Sequence, residues 1–120
     1  ACGRAMEQWF QQMQWRAVLD YHASGRMVML PWSYTRSAMG GEPERRYRAL
    51  AKKMADTSGY RWGQIPSMVG YTAAGSTGDY YHIEGNKRGW NTASMSIEVG
   101  TSKQPGDQQS ISAEITKNVE

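Results

Sequence analysis

Residues 17–32 read AVLDYHASGRMVMLPW, and this stretch decides the class of fold. The apolar run with β-branched Val18 predicts a strand over 16–22 that is buried on both faces. A His-Ala-Ser-Gly turn follows, and MVMLP predicts a second strand over 27–31 that ends at Pro31. This arrangement leaves His22 at the tip of a strand, where a polar side chain requires an explanation.

The rest of the chain alternates between helical and strand patterns. Spacing of apolar residues predicts helices at 4–14, 43–57, 77–84 and 111–120, and further strands within 64–69 and at 92–99. Pro43 suits the first turn of its helix, and Gly59 suits the end of that helix. Strands separated by helices predict an α/β fold whose sheet has a parallel core. Four strands are few for such a sheet, so we expect these 120 residues to be part of a larger domain.

Composition argues against several classes of partner. The net charge of +3 comes from 14 basic and 11 acidic residues that are scattered along the chain, so we expect neither a nucleic-acid partner nor a membrane partner. The basic residues between 45 and 53 are typical of a solvated helix face. Cys2 is the single cysteine, which permits no internal disulfide and no CxxC metal site. No sequence feature indicates a cellular compartment.

Three polar residues lie at positions where α/β proteins commonly bind their ligands. His22 ends the first predicted strand, Glu98 ends the last, and Tyr71 lies in a glycine-bounded segment. Ligands bind beyond the carboxyl ends of strands in such sheets, so His22 and Glu98 together predict a metal ligand and a general base. Taken singly, His22 also fits a hydrogen-bonded structural histidine and Glu98 a loop anchor. Asp20, two residues before His22, faces the same side of a strand and can orient it, or form a plain ion pair.

Three blocks, in order and with matching separations, resemble the zinc carboxypeptidase family typified by pancreatic carboxypeptidase A. AVLDYHASGRMVMLPW resembles the family's strand, zinc-binding His, turn and second strand, with a Pro and an aromatic residue nine positions after the His. GYTAAGSTGDYY (70–81) resembles the block with a mobile Tyr, and SMSIEVG (94–100) resembles the strand that ends in the catalytic Glu. The resemblance implies a mixed, largely parallel-cored sheet with helices on both faces. It also implies that residues 1–120 are the C-terminal portion of a single catalytic domain whose N-terminal half is missing.

The resemblance implies a role for each site residue. His22 would be one of three zinc ligands, and Glu98 would be the general base that activates water and returns the proton to the leaving amine. Tyr71 would hydrogen-bond a peptide substrate near its C-terminus, in an enzyme that removes C-terminal residues. Ala73, Gly78 and Ser96 would line the pocket for the terminal side chain, although Gly78 does not decide which side chain is preferred. The family's cis peptide bonds align with Ala23–Ser24 and Pro31–Trp32.

Two parts of the family's site have no match in this sequence. The other zinc ligands come from a His-x-x-Glu motif, but the residues three positions after His22 and His82 are Gly25 and Gly85. The arginines that bind the substrate's terminal carboxylate are also absent. We therefore expect this chain alone to bind zinc weakly and to lack peptidase activity, with the missing N-terminal half as its partner. His82, on the predicted helix 77–84, is expected at the surface.

Two other functions remain open at this stage. A related N-acyl amino acid deacylase of the aspartoacylase and desuccinylase type also places a His and a Glu on similar strands, and the Asp-x-His pattern at 20–22 suits that group. A non-catalytic, degenerate homologue would keep the fold and lose the His-x-x-Glu motif. Activity on peptides with a free C-terminus, set against N-acyl amino acids, separates the two enzymes.

Overall fold

This computed structural model describes residues 2–119 of the chain, which form five helices and four strands. In chain order they are α1 (Cys2–Gln11), β1 (Ala17–Ala23), β2 (Met27–Leu30), α2 (Gly41–Ser58), β3 (Arg61–Gln64), α3 (Ile65–Val69), α4 (Thr77–Lys87), β4 (Ala93–Val99) and α5 (Gln108–Val119). Glu120, the last residue of the predicted C-terminal helix, lies outside the described residues. Among the described helices, none combines the length and the apolar character that crossing a bilayer requires.

One predicted strand is misplaced. The sequence predicts a strand within 64–69, whereas the strand occupies Arg61–Gln64 and a short helix follows at Ile65–Val69. Pro66 explains the difference, because proline has no N–H to give to a strand ladder and is well tolerated in the first turn of a helix. Gly70 then ends the helix in the left-handed conformation, with φ of 90°.

The four strands form one mixed sheet in the order β1-β4-β2-β3. β1 and β4 are parallel, β2 and β3 are parallel, and the central pair β2 and β4 is antiparallel. β4, the last strand in the sequence, therefore lies between the first two strands, β1 and β2. The mixed sheet with parallel pairs confirms the predicted class of fold.

Helices cover both faces of the sheet, as predicted. On one face, Val28, Leu30, Met95 and Ile97 pack against side chains of α2, including Tyr47 and Ala51. On the other face, Met27 and Met29 pack against Ile65 of α3. Strand alternation places Ser94 and Ser96 of β4 on this second face, where they lie under the first turn of α4.

β1 is more exposed than the sequence predicts. Leu19 and Tyr21 are 40% and 51% exposed, so the expectation that both faces of this strand are buried is wrong. The physical reason is position, because β1 is an edge strand of the described sheet and its free edge has no strand partner there. The prediction assumed flanking layers that the described residues do not provide on this side.

Candidate functional site

His22 and Glu98 lie side by side at the carboxyl ends of two parallel strands. They are register partners in the β1–β4 ladder, so their side chains leave the same face of the sheet from strands about 4.8 Å apart. The turn after His22 is held at this end of β4, because the N–H of Gly25 donates to the carbonyl of Gly100 at 2.9 Å. The structure thus brings together the two residues that the sequence singles out as metal ligand and base.

Asp20 holds the ring of His22 in place. Its Oδ2 lies 3.0 Å from His22 Nε2, and it also accepts a hydrogen bond from the hydroxyl of Thr77. A carboxylate at Nε2 favours the tautomer with the proton on that nitrogen, which leaves the Nδ1 lone pair for a metal. The side chain of His22 is 52% exposed. The 3.0 Å contact fits both predictions for Asp20, the orienting role and the plain ion pair.

Glu98 carries a carboxylate oxygen without a partner. Its Oε2 is buried and makes no hydrogen bond with any of the described residues. The turn comes close here, since a Cβ on Gly25 would lie 3.6 Å from the Cβ of Glu98. Buried polar atoms are nearly always paired in folded proteins, so an orphaned carboxylate oxygen at a strand end is a mark of a functional group.

The described residues do not by themselves hold a zinc ion. Residues 2–119 contain no group of three His, Cys, Asp or Glu side chains placed to share a metal, and a catalytic zinc needs three protein ligands. His22, with Asp20 behind it, fits the role of one ligand. Any complete zinc site therefore requires ligands from outside these residues.

Tyr71 stands apart from the His22–Glu98 pair on an exposed loop. It is 64% exposed and follows Gly70, whose carbonyl accepts a hydrogen bond from Arg36 at 2.7 Å. The loop is held to the segment after β2 by the N–H of Ala73, which donates to the carbonyl of Ser33 at 2.9 Å. Anchored at these two points, the loop leaves the side chain of Tyr71 free in solvent.

The predicted pocket residues Gly78 and Ser96 do meet. A Cβ on Gly78 would lie 3.7 Å from the hydroxyl of Ser96 and 3.8 Å from that of Ser94. Sequence reasoning missed Ser94, which is fully buried. The available signal was the alternation in SMSIEV, where two serines take the positions that face away from Met95 and Ile97.

Asp79 is a second residue whose structural role the sequence did not reveal. Its buried carboxylate accepts the N–H of Ser33 at 3.0 and 3.1 Å, the hydroxyl of Ser33, and the N–H of Tyr34. These bonds attach the first turn of α4 to the segment after β2. The peptide bonds Ala23–Ser24 and Pro31–Trp32 are both cis, as the resemblance predicts.

His82 is buried, so the prediction of a surface position is wrong. It is 4% exposed, and its Nδ1 lies 2.9 Å from the hydroxyl of Tyr47. Burial lowers the pKa of His82 below its ordinary value. The buried residues of α4 are Gly78, Asp79, Tyr81, His82 and Gly85. Only Tyr81 among them is a large apolar residue, so the spacing of apolar residues in the sequence does not reveal this face.

A family model identifies the family of this chain. The model of the zinc carboxypeptidase family matches residues 2–118, so the chain belongs to this family of metal-dependent hydrolases. The fold is shared with bovine thrombin-activatable fibrinolysis inhibitor, solved in complex with tick carboxypeptidase inhibitor (TM-score 0.74, 16% identity, 97% of this chain and 39% of that chain). It is also shared with a second solved structure of thrombin-activatable fibrinolysis inhibitor (TM-score 0.69, 18% identity, 83% of this chain and 25% of that chain).

The chain therefore spans well under half the length of these two solved chains. No curated protein sequence is similar enough to this chain to be matched.

Proposed function

We propose that residues 1–120 are the C-terminal portion of a zinc carboxypeptidase catalytic domain that removes C-terminal residues from peptides. The observation that carries the proposal is the pairing of His22 with Glu98 across two parallel strand ends, with the Oε2 of Glu98 buried and unpartnered. Membership of the zinc carboxypeptidase family supports the class of reaction.

In this proposal each side chain has one task. His22 would hold zinc through Nδ1 while Asp20 fixes its ring through Nε2. Zinc at this position would supply Lewis-acid polarisation of the scissile carbonyl. Glu98 would take a proton from the attacking water at Oε2 and deliver it to the leaving amine. Tyr71, exposed on its loop, would close over the substrate and hydrogen-bond it.

The missing part of the site would come from a partner segment that adds to the free edge of β1. This edge has no strand partner within the described residues, and Leu19 and Tyr21 are exposed beside it. Unpaired strand edges with apolar neighbours favour pairing with another strand. Because the solved relatives are more than twice as long as the matched region, we assign this edge to the N-terminal half of the same domain. That half would bring the remaining zinc ligands and the groups that bind the substrate's terminal carboxylate.

Substrate classes test the proposal directly. The complete zinc-loaded protein should hydrolyse a peptide with a free C-terminus and leave the matching C-terminal amide and N-acyl amino acids intact. Hydrolysis of N-acyl amino acids alone would instead support the deacylase, and no hydrolysis of either would support a non-catalytic homologue. Residues 1–120 prepared alone should contain far less than one zinc per chain by elemental analysis. One zinc per chain would contradict the half-site described here.

A further inference from the structure

A cavity of about 390 Å³ opens between α2, α4 and the start of β4. Tyr47 and Leu50 of α2 and Ala93 of β4 give it apolar walls, and Asn86 of α4 gives it a polar one. This volume lies in the range of pockets that hold small molecules. Because Ala93 lies five residues before Glu98 on the same strand, the cavity lies about 17 Å from Glu98, and a ligand here would not touch that residue.

The charged side chains that line this cavity are all positive. They belong to Arg46 and Lys53 of α2, and no Asp or Glu of residues 2–119 joins them there. The two residues are seven positions apart, so they lie on the same face of the helix, about 10.5 Å apart along its axis. His82 also lines the cavity, and it adds no charge at neutral pH because burial lowers its pKa below the ordinary value.

Arg46 and Lys53 are also the two basic residues of α2 that form no ion pair within the described part of the chain. The other three basic residues pair with acids of the same helix: Arg45 with Glu42, Arg48 with Glu44, and Lys52 with Asp56. Arg46 is instead held at the cavity by a hydrogen bond that it donates to the carbonyl of Asn91 at 3.2 Å. Part of the basic run that the sequence presents as a solvated helix face therefore carries unneutralised charge at a cavity.

Carboxylates on the neighbouring helix are engaged elsewhere. Asp79 acts electrostatically on His82, but its oxygens accept hydrogen bonds from the N–H of Ser33 at 3.0 and 3.1 Å. Glu84 of α4 forms an ion pair with Lys87. Neither carboxylate lines the cavity, so the two cations remain available to a ligand. A concave site with unneutralised charge of one sign concentrates ions of the opposite sign.

We propose that this cavity binds a small organic molecule that carries two negative charges, as a phosphate monoester or a dicarboxylate does. The guanidinium of Arg46 suits bidentate recognition of either group, and the ammonium of Lys53 adds a point charge. Tyr47 and Leu50 supply apolar surface for the body of the ligand, and the amide of Asn86 is fixed 2.8 Å from Nε2 of the buried histidine of α4. The inference does not depend on the proposed peptidase function.

The test is an NMR titration of the complete protein with two dianions, phenyl phosphate and adipate, and with their neutral counterparts, phenol and adipamide. We expect a Kd below about 1 mM for at least one dianion, and binding about tenfold or more tighter than that of its neutral counterpart, the size of a charge-assisted hydrogen bond. The amide signals of residues 46–53 and 86–93 should shift. Tighter binding of phenyl phosphate would identify a phosphate ester as the ligand, and tighter binding of adipate a dicarboxylate. Binding of neither dianion, or shifts confined to the residues around Glu98, would overturn the inference and leave the proposed function standing.

Adjacent residues of α2 provide matched control variants. Arg46→Gln and Lys53→Gln should each raise the Kd of the dianion about tenfold. Arg45→Gln and Lys52→Gln remove the same charge one position away, from side chains that are engaged in ion pairs and do not line the cavity, so the Kd should change by less than about twofold. An equal loss of affinity in all four variants would show attraction to the general charge of the helix and would overturn the proposed site.

Discussion

Removing one hydroxyl in the core should destabilise the whole sheet. Tyr47 is 5% exposed, and its hydroxyl accepts the N–H of Ser94 at 2.7 Å while it lies 2.9 Å from Nδ1 of the buried His82. Burial raises the pKa of Tyr47 to about 12, so the hydroxyl remains protonated and can donate to that nitrogen. Tyr47→Phe keeps the ring and opens no cavity, and therefore isolates the loss of these hydrogen bonds.

The size of the expected loss of stability follows from the polar groups that lose the Tyr47 hydroxyl as a partner. The variant leaves the buried N–H of Ser94 without its partner, whereas Nδ1 of His82 loses its 2.9 Å contact and keeps Nδ2 of Asn86 at 3.3 Å. A buried unsatisfied group costs about 1–3 kcal/mol, so we expect the free energy of unfolding to fall by about 1–3 kcal/mol. Because Ser94 lies four residues before Glu98 on the same strand, the amide protons of β4 should also exchange faster in the variant.

Urea unfolding followed by tryptophan fluorescence measures the change, with hydrogen exchange of the Ser94 amide as a local readout. Tyr34→Phe is the matched control, because Tyr34 is 51% exposed and its loss should alter the free energy of unfolding by less than about 0.5 kcal/mol. A Tyr47→Phe variant within about 0.5 kcal/mol of the unmutated protein would refute the reasoning that this hydroxyl ties α2, α4 and β4 together.

Three other changes test the packing around the site. Burial lowers the pKa of His82 below 6.5, so His82 binds a proton more readily in the unfolded state than in the folded state. The stability should therefore fall as the pH drops below about 6.5. In a series of urea midpoints measured against pH, His82→Asn should flatten this part of the profile. Desolvation opposes ionisation of Glu114, but side-chain hydrogen bonds lower the pKa of its carboxyl to about 2. The stabilisation by this carboxylate is therefore complete above pH 4.5 and is lost as the pH falls from 4.5 towards 2. Glu114→Gln should remove this pH-dependent loss of stability and speed proteolysis of α5 at neutral pH. Gly85→Ala would place a Cβ 2.1 Å from the Thr92 hydroxyl and should lower the free energy of unfolding by about 1–3 kcal/mol. Gly106→Ala is the control, because Gly106 has open space around it and the change should leave stability unaltered. Equal urea midpoints for the two variants would contradict the packing of α4 on β4.

The position of the candidate site was predictable because it depends on local sequence rules. A strand that ends in His22 and another that ends in Glu98 suffice to place two polar groups at one edge of an α/β sheet. The spacing of Asp20 two residues before His22 likewise predicts the shared face on which the 3.0 Å contact forms. Both inferences use only the period of a strand and the rule for strand ends.

The features that the sequence did not predict depend on distant contacts. The exposure of β1 follows from its place at the edge of the described sheet, which no pattern within residues 17–23 encodes. His82 is buried because Tyr47, 35 residues earlier, satisfies its ring nitrogen. The hydroxyl of Ser94 is buried without a hydrogen-bond partner among the described residues, and Gly78 of α4 packs against it. No pattern within β4 encodes this contact with another element.

The most direct test of the central claim is the rate at which a Glu98→Gln variant of the complete protein hydrolyses a peptide with a free C-terminus. Zinc content is measured on the same sample. A general base contributes about 10²–10⁴ in rate, so we expect a loss of that size with zinc still bound, because Glu98 is assigned as a base and His22 as a ligand. Glu42→Gln, an exposed glutamate of α2, should retain full activity. A Glu98→Gln variant that keeps its rate within tenfold, or one that loses its zinc, would contradict the account.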